Sequence, residues 1–244
     1  MKAILQSEYL KLKGAGQKKL ALILPFLTLA IAFLIGSPDI LESFTMYWWE
    51  ALFLFVLIGL LCLYDYQAEK QAGRFQNVLV GTLTANIYFV KWLLVVYQLV
   101  IASGFVLLFL YLVSLLFPTM ILHWLTNVMT LFLVLLTVLW NIPFLYSCFE
   151  YFNAYFVLVV NSFLCFLVAP FIAQTNWWYL FPYTYHYKVM AILLHIKPSG
   201  DTMAPAASID ILSLLMAIAL SLVLASLGAV IWMRKEQADG HRTQ

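Results

Sequence analysis

The chain has 244 residues, of which 65% are hydrophobic, 17% aromatic and only 10% charged, with a formal net charge of +2 and a mean hydropathy of +0.96. Soluble domains carry roughly 25% charged residues, so this chain cannot clothe a water-facing globule and its main solvent must be lipid. The charge is too small to point to nucleic acid, and Cys62, Cys148 and Cys165 are odd in number, without metal-type spacing. They read as unpaired thiols in or near the membrane.

The N-terminus, "MKAILQSEYLKLKGAGQKK", is too long and too charged before its apolar run for an ordinary cleaved signal peptide. Leu5, Tyr9 and Leu12 fall at i, i+4 and i+7, with Lys2, Lys11 and Lys13 free to meet lipid phosphates. That pattern predicts an amphipathic helix in the membrane interface. "GAGQKK" (14–19) lacks the GxxxxGK[ST] spacing of a phosphate-binding loop, so no ATP site of that type is expected on this chain.

Six apolar runs then approach the roughly 20 residues needed to cross a bilayer core: about 19–36, 47–65, 88–117, 120–146, 153–173 and 209–233. Pro25 lies in the first. Residues 92–149 contain no Asp, Glu, Lys or Arg, and Pro118 is the natural break between the third and fourth spans. "WNIPF" (140–144) places Pro143 inside the fourth, where it predicts a kink. The chain shows no linker or tandem repeat and reads as one all-α membrane domain over 1–244.

Orientation follows from the basic residues. With the N-terminus inside, Lys2, Lys11, Lys13, Lys18, Lys19, Lys70, Arg74, Lys91, Arg234, Lys235 and Arg242 are cytoplasmic, and only Lys188 and Lys197 are outside. Both termini are then cytoplasmic. "MYWW" (46–49) and "NWWYLFPYTYHY" (176–187) fall where interfacial aromatic rings belong, with substrate contact as the second reading.

Ionisable residues inside a membrane are functional pointers, and the spans are almost bare of them. Glu50, Asp65, Glu150 and Asp210 all count to span ends and read as hydrated boundary carboxylates. His123, His186, His195 and His241 make no metal motif, and no nucleophile motif is present. Without a chain of acids and histidines, a proton-coupled transporter is disfavoured. Gln98, Ser103, Ser114, Asn127, Thr137, Asn141, Ser147 and Asn161 read as hydrogen-bonding groups between helices, with a polar path as the alternative.

The segment "EKQAGRFQNVLVGTLTANIYFVKW" (69–92) is longer than a turn between two spans requires. Phe75, Val78, Leu79 and Thr82 form one semi-apolar helical stripe, with Lys70, Arg74, Gln76 and Asn77 in other directions and Gly81 as the stop. From the residues alone, an interfacial helix without a partner and a docking element stand level.

Six spans, cytoplasmic ends, the "SEYLKLK" helix and a loop of the form Glu69-xxx-Gly73-xxxxx-Leu79 followed by Lys91 resemble the permease subunits of type-2 ABC transporters. "MKAILQSEYLKLK", "YWWEALFL" and "WWYLFPY…PSGD" make the whole chain similar to the G-type lantibiotic self-immunity permeases of Gram-positive bacteria. The resemblance implies a cytoplasmic coupling helix at Glu69, Gly73, Arg74, Phe75, Val78 and Leu79, docked on a separate ATPase homodimer. It also implies a second homologous permease subunit, or a second copy of this chain, and an outer re-entrant helical segment after the fifth span. No cofactor would be bound directly and no metal is expected; ATP and Mg would sit on the partner, and this chain would not be an enzyme. The location would be the plasma membrane, and the substrate a lantibiotic-type peptide removed from the lipid bilayer. Trp177, Trp178 and Tyr179 are the expected outer contacts, and Asp39, Glu42 and Glu50 would attract a cationic peptide. Export of a lipid, a drug or another peptide by the same architecture, and a membrane-embedded enzyme, remain as rivals.

Overall fold

The computed structural model describes residues 6–8, 16–37, 40–71, 84–117, 120–203 and 210–242; the side chains of 84–85 and 232–242 fall outside that description. The described residues form helices joined by turns and short loops, with one isolated antiparallel bridge between Ile196 and Thr202. Six helices are long and apolar enough to cross a membrane: Gln17–Ile35, Leu41–Gln71, Asn86–Leu116, Trp124–Tyr151, Ala154–Ala173 and Ile211–Ile231. A multi-pass membrane protein is therefore the coarse reading that the architecture supports. The face holding Gln17, Gln71 and Tyr151 is termed the near face, and the opposite one the far face.

Helix α1 (Gln17–Ile35) starts at Gly16, whose φ of 74° is left-handed, a conformation that costs glycine little. Pro25 stays within the helix. α1 packs mainly on α3 (Thr84–Leu116), with Phe26 edge-on to Phe109 and Phe33 against Phe117. Between them in sequence, α2 (Leu41–Gln71) is the central helix, with 72% of its most apolar stretch buried. It begins six residues before the run expected from hydropathy, because "LESFTM" (41–46) is already helical.

The fourth span is broken as Pro143 predicts. α4 (Trp124–Val138) and α5 (Asn141–Tyr151) are separated at Leu139 and Trp140, one turn before the proline, where its missing N–H leaves the ladder incomplete. A two-residue turn follows, and Asn153 caps α6 (Ala154–Ala173) by accepting from the Tyr155 and Phe156 N–H groups.

The segment after α6 folds through short 3₁₀ turns at Trp178–Leu180 and Pro182–Thr184 into α7 (Tyr185–Leu193), with Tyr185, His186, Tyr187, Val189 and Met190 buried. It packs on α4 and on α8 (Ile211–Arg242). Asp210 caps α8, accepting from the Ser213 N–H at 3.1 Å and from its hydroxyl, and these bonds hold the Asp210 carboxyl below the usual range.

The outer surfaces of α1, α3, α6 and α8 are apolar. Tyr155, Val159, Phe163, Leu167 and Phe171 form an exposed i+4 stripe along α6, and Leu212, Leu215, Val223 and Leu227 are exposed on α8. Patches this continuous belong against lipid or another protein.

Close approaches fix two helix pairs. A Cβ on Gly228 of α8 would meet the Pro143 ring at 3.1 Å, and one on Gly59 of α2 would run into Leu158 of α6. Gly59→Leu is expected to destabilise the purified protein by about 1–3 kcal/mol, the usual cost of overpacking. A lowered thermal midpoint, partly restored by adding Leu158→Ala, checks this.

Candidate functional site

Among the described residues, two ionisable clusters lie inside the bundle, both built on α2. The first surrounds Lys91 of α3, which is 2% exposed. Its ammonium lies 2.8 and 2.9 Å from the two Asp65 oxygens, 2.9 Å from Glu69 and 3.3 Å from Glu8. The Tyr146 hydroxyl of α5 donates to Asp65 at 2.7 Å. Asp65 and Glu69 are one helical turn apart, which aims both carboxylates at the same side of α2. One ammonium thus joins the N-terminal segment, the second span and the third span, with the fourth added through Tyr146.

A buried ion cluster is a poor source of net stability, but removing one member is costly because the others remain charged in a low-dielectric site. The cluster therefore acts as a constraint on geometry. The Glu8, Asp65 and Glu69 oxygens lie within 4.8 Å of one another, close enough for a cation, and the Lys91 ammonium already fills that role.

The second cluster lies toward the far face. Two stretches of wider π-helical winding meet there: Trp49–Phe53 in α2 and Leu164–Val168 in α6. Such windings mark sites where a helix re-aims side chains. Glu50 and Cys165 occupy them, and His186 of α7 comes between, with Nε2 3.1 Å from Glu50 Oε2 and 3.6 Å from Cys165 Sγ. The Cys165 thiol donates to the Ala51 carbonyl at 3.2 Å. At mid-depth, Asn161 of α6 accepts from Asn141 and from the Tyr183 hydroxyl, both at 2.8 Å, and its amide reaches the Phe55 carbonyl.

These positions correct the expectation of hydrated boundary carboxylates. Asp65 is 5% exposed and Glu50 1%, whereas Glu150 is half-buried and Asp210 exposed at helix ends. The reason at Glu50 is the early start of α2, which sets it nine residues, about 14 Å, inside the helix. His186 gave no motif because its partners come from helices remote in sequence. Among the uncharged polar residues, Asn141 and Asn161 bridge helices as expected, and Asn127 of α4 reaches Glu42 of α2. Ser114, Thr137 and Ser147 instead bond carbonyls of their own helices.

The structure separates the expected outer contacts. Glu42 accepts from the His123 backbone N–H at 2.8 Å and from the Asn127 amide, and faces His123 Nδ1 at 3.1 Å. It thereby satisfies the start of α4. Trp177 is exposed, Trp178 buried and Tyr179 half-buried. The Lys188 ammonium lies 5.0 Å from the Trp178 ring centre, and burial pulls that ammonium below the usual lysine range. Asp39 lies outside the described residues, as do Gly73, Arg74, Phe75, Val78 and Leu79. Glu69, the remaining coupling candidate, is buried against Lys91. An apolar groove of about 260 Å³ also opens between α3, the α4–α5 break and α8, lined by Tyr88, Trp92, Pro143 and Leu222 among others.

Lys91→Met removes the ammonium that Asp65 and Glu69 share, and is expected to destabilise the protein by about 3–5 kcal/mol. Lys91→Met with Asp65→Asn and Glu69→Gln should recover much of that. Thermal unfolding of the purified variants in detergent, ranked in that order, is the check.

Comparison with protein families, curated proteins and solved structures finds no match to this chain.

Proposed function

We propose that this chain is the permease subunit of a type-2 ABC transporter, driven by a separate ATPase. In this reading it expels a lantibiotic-type antimicrobial peptide from the plasma membrane of a Gram-positive bacterium, as one of two permease subunits. The observation that carries it is the Lys91 cluster. Asp65 and Glu69 lie just before residues 72–83, and Lys91 lies shortly after them. A force applied to that segment from the near face would reach α2 and α3 together, since one ammonium ties their ends.

Lys18, Lys19, Lys70 and Lys91 lie toward the near face, and the eleven basic residues read as cytoplasmic from the sequence favour that face as the cytoplasmic one, within reach of an ATPase. Phe75, Val78 and Leu79 would supply the apolar side of the coupling helix, with Gly73 and Arg74 on its approach. The far-face segment 174–203 would act as the re-entrant outer element, with Trp177, Leu180 and Tyr179 meeting the apolar face of a peptide still lodged in lipid. Opening and closing would follow from pivoting of α2, since it touches every neighbour that carries a polar cluster.

Export of another amphiphile by the same machine is the nearest alternative. The enzyme reading is weakened by burial: both ionisable clusters are packed shut, with Lys91 and Glu50 at 2% and 1% exposure, and no substrate could reach them in this conformation.

Phe75→Asp and Gly73→Pro, co-expressed with the ATPase, should lose co-purification by at least tenfold while inserting normally. Host survival in a cationic lanthionine peptide should fall to that of cells lacking the chain. Retained co-purification and survival in both variants would contradict the proposal. Membrane-impermeant labelling should modify Trp177→Cys from outside intact cells and Lys19→Cys only after permeabilisation; the reverse pattern would overturn the orientation.

A further inference from the structure

The Glu50–His186 contact is not needed for coupling at the near face, and its chemistry is incomplete as it stands. Both Glu50 carboxyl oxygens and His186 Nδ1 are buried without a hydrogen-bond partner, although Oε2 and Nε2 lie only 3.1 Å apart. Phe55 and Tyr187 cover the imidazole, with ring centres 5.0 and 4.3 Å away. A bare carboxylate in such a place, met only by an imidazole nitrogen 3.1 Å away, would carry a large desolvation cost. Sharing one added proton removes the charge and leaves a hydrogen bond in its place.

We infer that Glu50 and His186 form a one-proton binding site, the proton residing on Glu50 Oε2 and donated to His186 Nε2. The loaded pair is neutral, which lets the π-wound stretch of α2 pack against α7 without a counter-ion. Loss of the proton would leave a full negative charge between them. Among the described residues no lysine or arginine pairs with Glu50, and Lys188, two residues from His186, has its ammonium over Trp178.

Among the described residues, three other titratable side chains lie in the field of Glu50. They are Tyr47 on its own helix, Cys165 on α6 and Tyr187 on α7; Asp201 in the loop after α7 faces Tyr47. Cys165 keeps its hydrogen on the Ala51 carbonyl and Tyr187 donates to the Cys165 carbonyl at 3.1 Å, so neither offers a donor to Glu50. The thiol's engagement also argues against a metal ion here, for which a thiolate would be needed.

Infrared spectroscopy of the full-length protein in lipid vesicles at neutral pH tests the site. The expected result is one protonated-carboxyl carbonyl band that Glu50→Gln abolishes, His186→Phe shifts, and Glu42→Gln leaves unchanged. Nitrogen-15 spectra of the histidine-labelled native protein, which need no variant, should show one neutral ring whose Nε2 accepts a hydrogen bond. Absence of the carboxyl band, a band indifferent to His186→Phe, a charged His186 ring, or stoichiometric zinc bound through Glu50 would each overturn the inference.

Discussion

One ammonium in an almost dry site sets the terms for the rest of the molecule. Lys91 cannot stay charged at 2% exposure unless carboxylates surround it, and taking it away would remove the cation that their oxygens share. The mutual requirement locks the end of α2 to the beginning of α3 and brings Glu8 of the N-terminal segment to the same point. A hydrophobic contact would tolerate sliding, because lipid and leucine are nearly equivalent neighbours for an apolar side chain. An ion cluster does not, since a displaced carboxylate gives up its short contact with the Lys91 ammonium.

From that lock the bundle is organised around α2. Its near end holds the charges, its middle touches the Asn161–Asn141–Tyr183 group through the Phe55 carbonyl, and its far part presents Glu50 to His186. About 22 Å of helix separates Glu50 from Asp65 at 1.5 Å per residue. A rigid helix fixed at both ends to different partners can carry displacement along its length. The π-wound stretch at Trp49–Phe53 interrupts that rigidity next to the far-face segment, where a change of shape would be felt by α7. The proposed coupling role and the proton site thus use opposite ends of the same helix.

Much of the scaffold was legible in the residues, for plain physical reasons. Apolar length located six helices, and Pro143 located the break in the fourth, because a missing N–H acts locally. The charge clusters were hidden because their members are far apart along the chain. Asp65 and Glu69 look like ordinary helix-end acids until Lys91 is placed beside them, and Lys91 looks like a cytoplasmic loop base. Glu50 was misplaced by hydropathy, which cannot see that "LESFTM" continues the helix outward with its polar members engaged, as Glu42 is with His123 and Asn127. The segment 69–92 stood out by length and by the stripe of Phe75, Val78, Leu79 and Thr82, and its suggested role rests on the resemblance and on the lock that flanks it.

The central claim is that motion in this membrane bundle is driven from outside the chain, through the near face. Reconstitution in lipid vesicles measures it directly, by following release of a fluorescent cationic lanthionine peptide from the bilayer. The account predicts no release with this chain and its permease partner alone, and ATP-dependent release once the ATPase is added. Peptide release by the chain without any ATPase would contradict it.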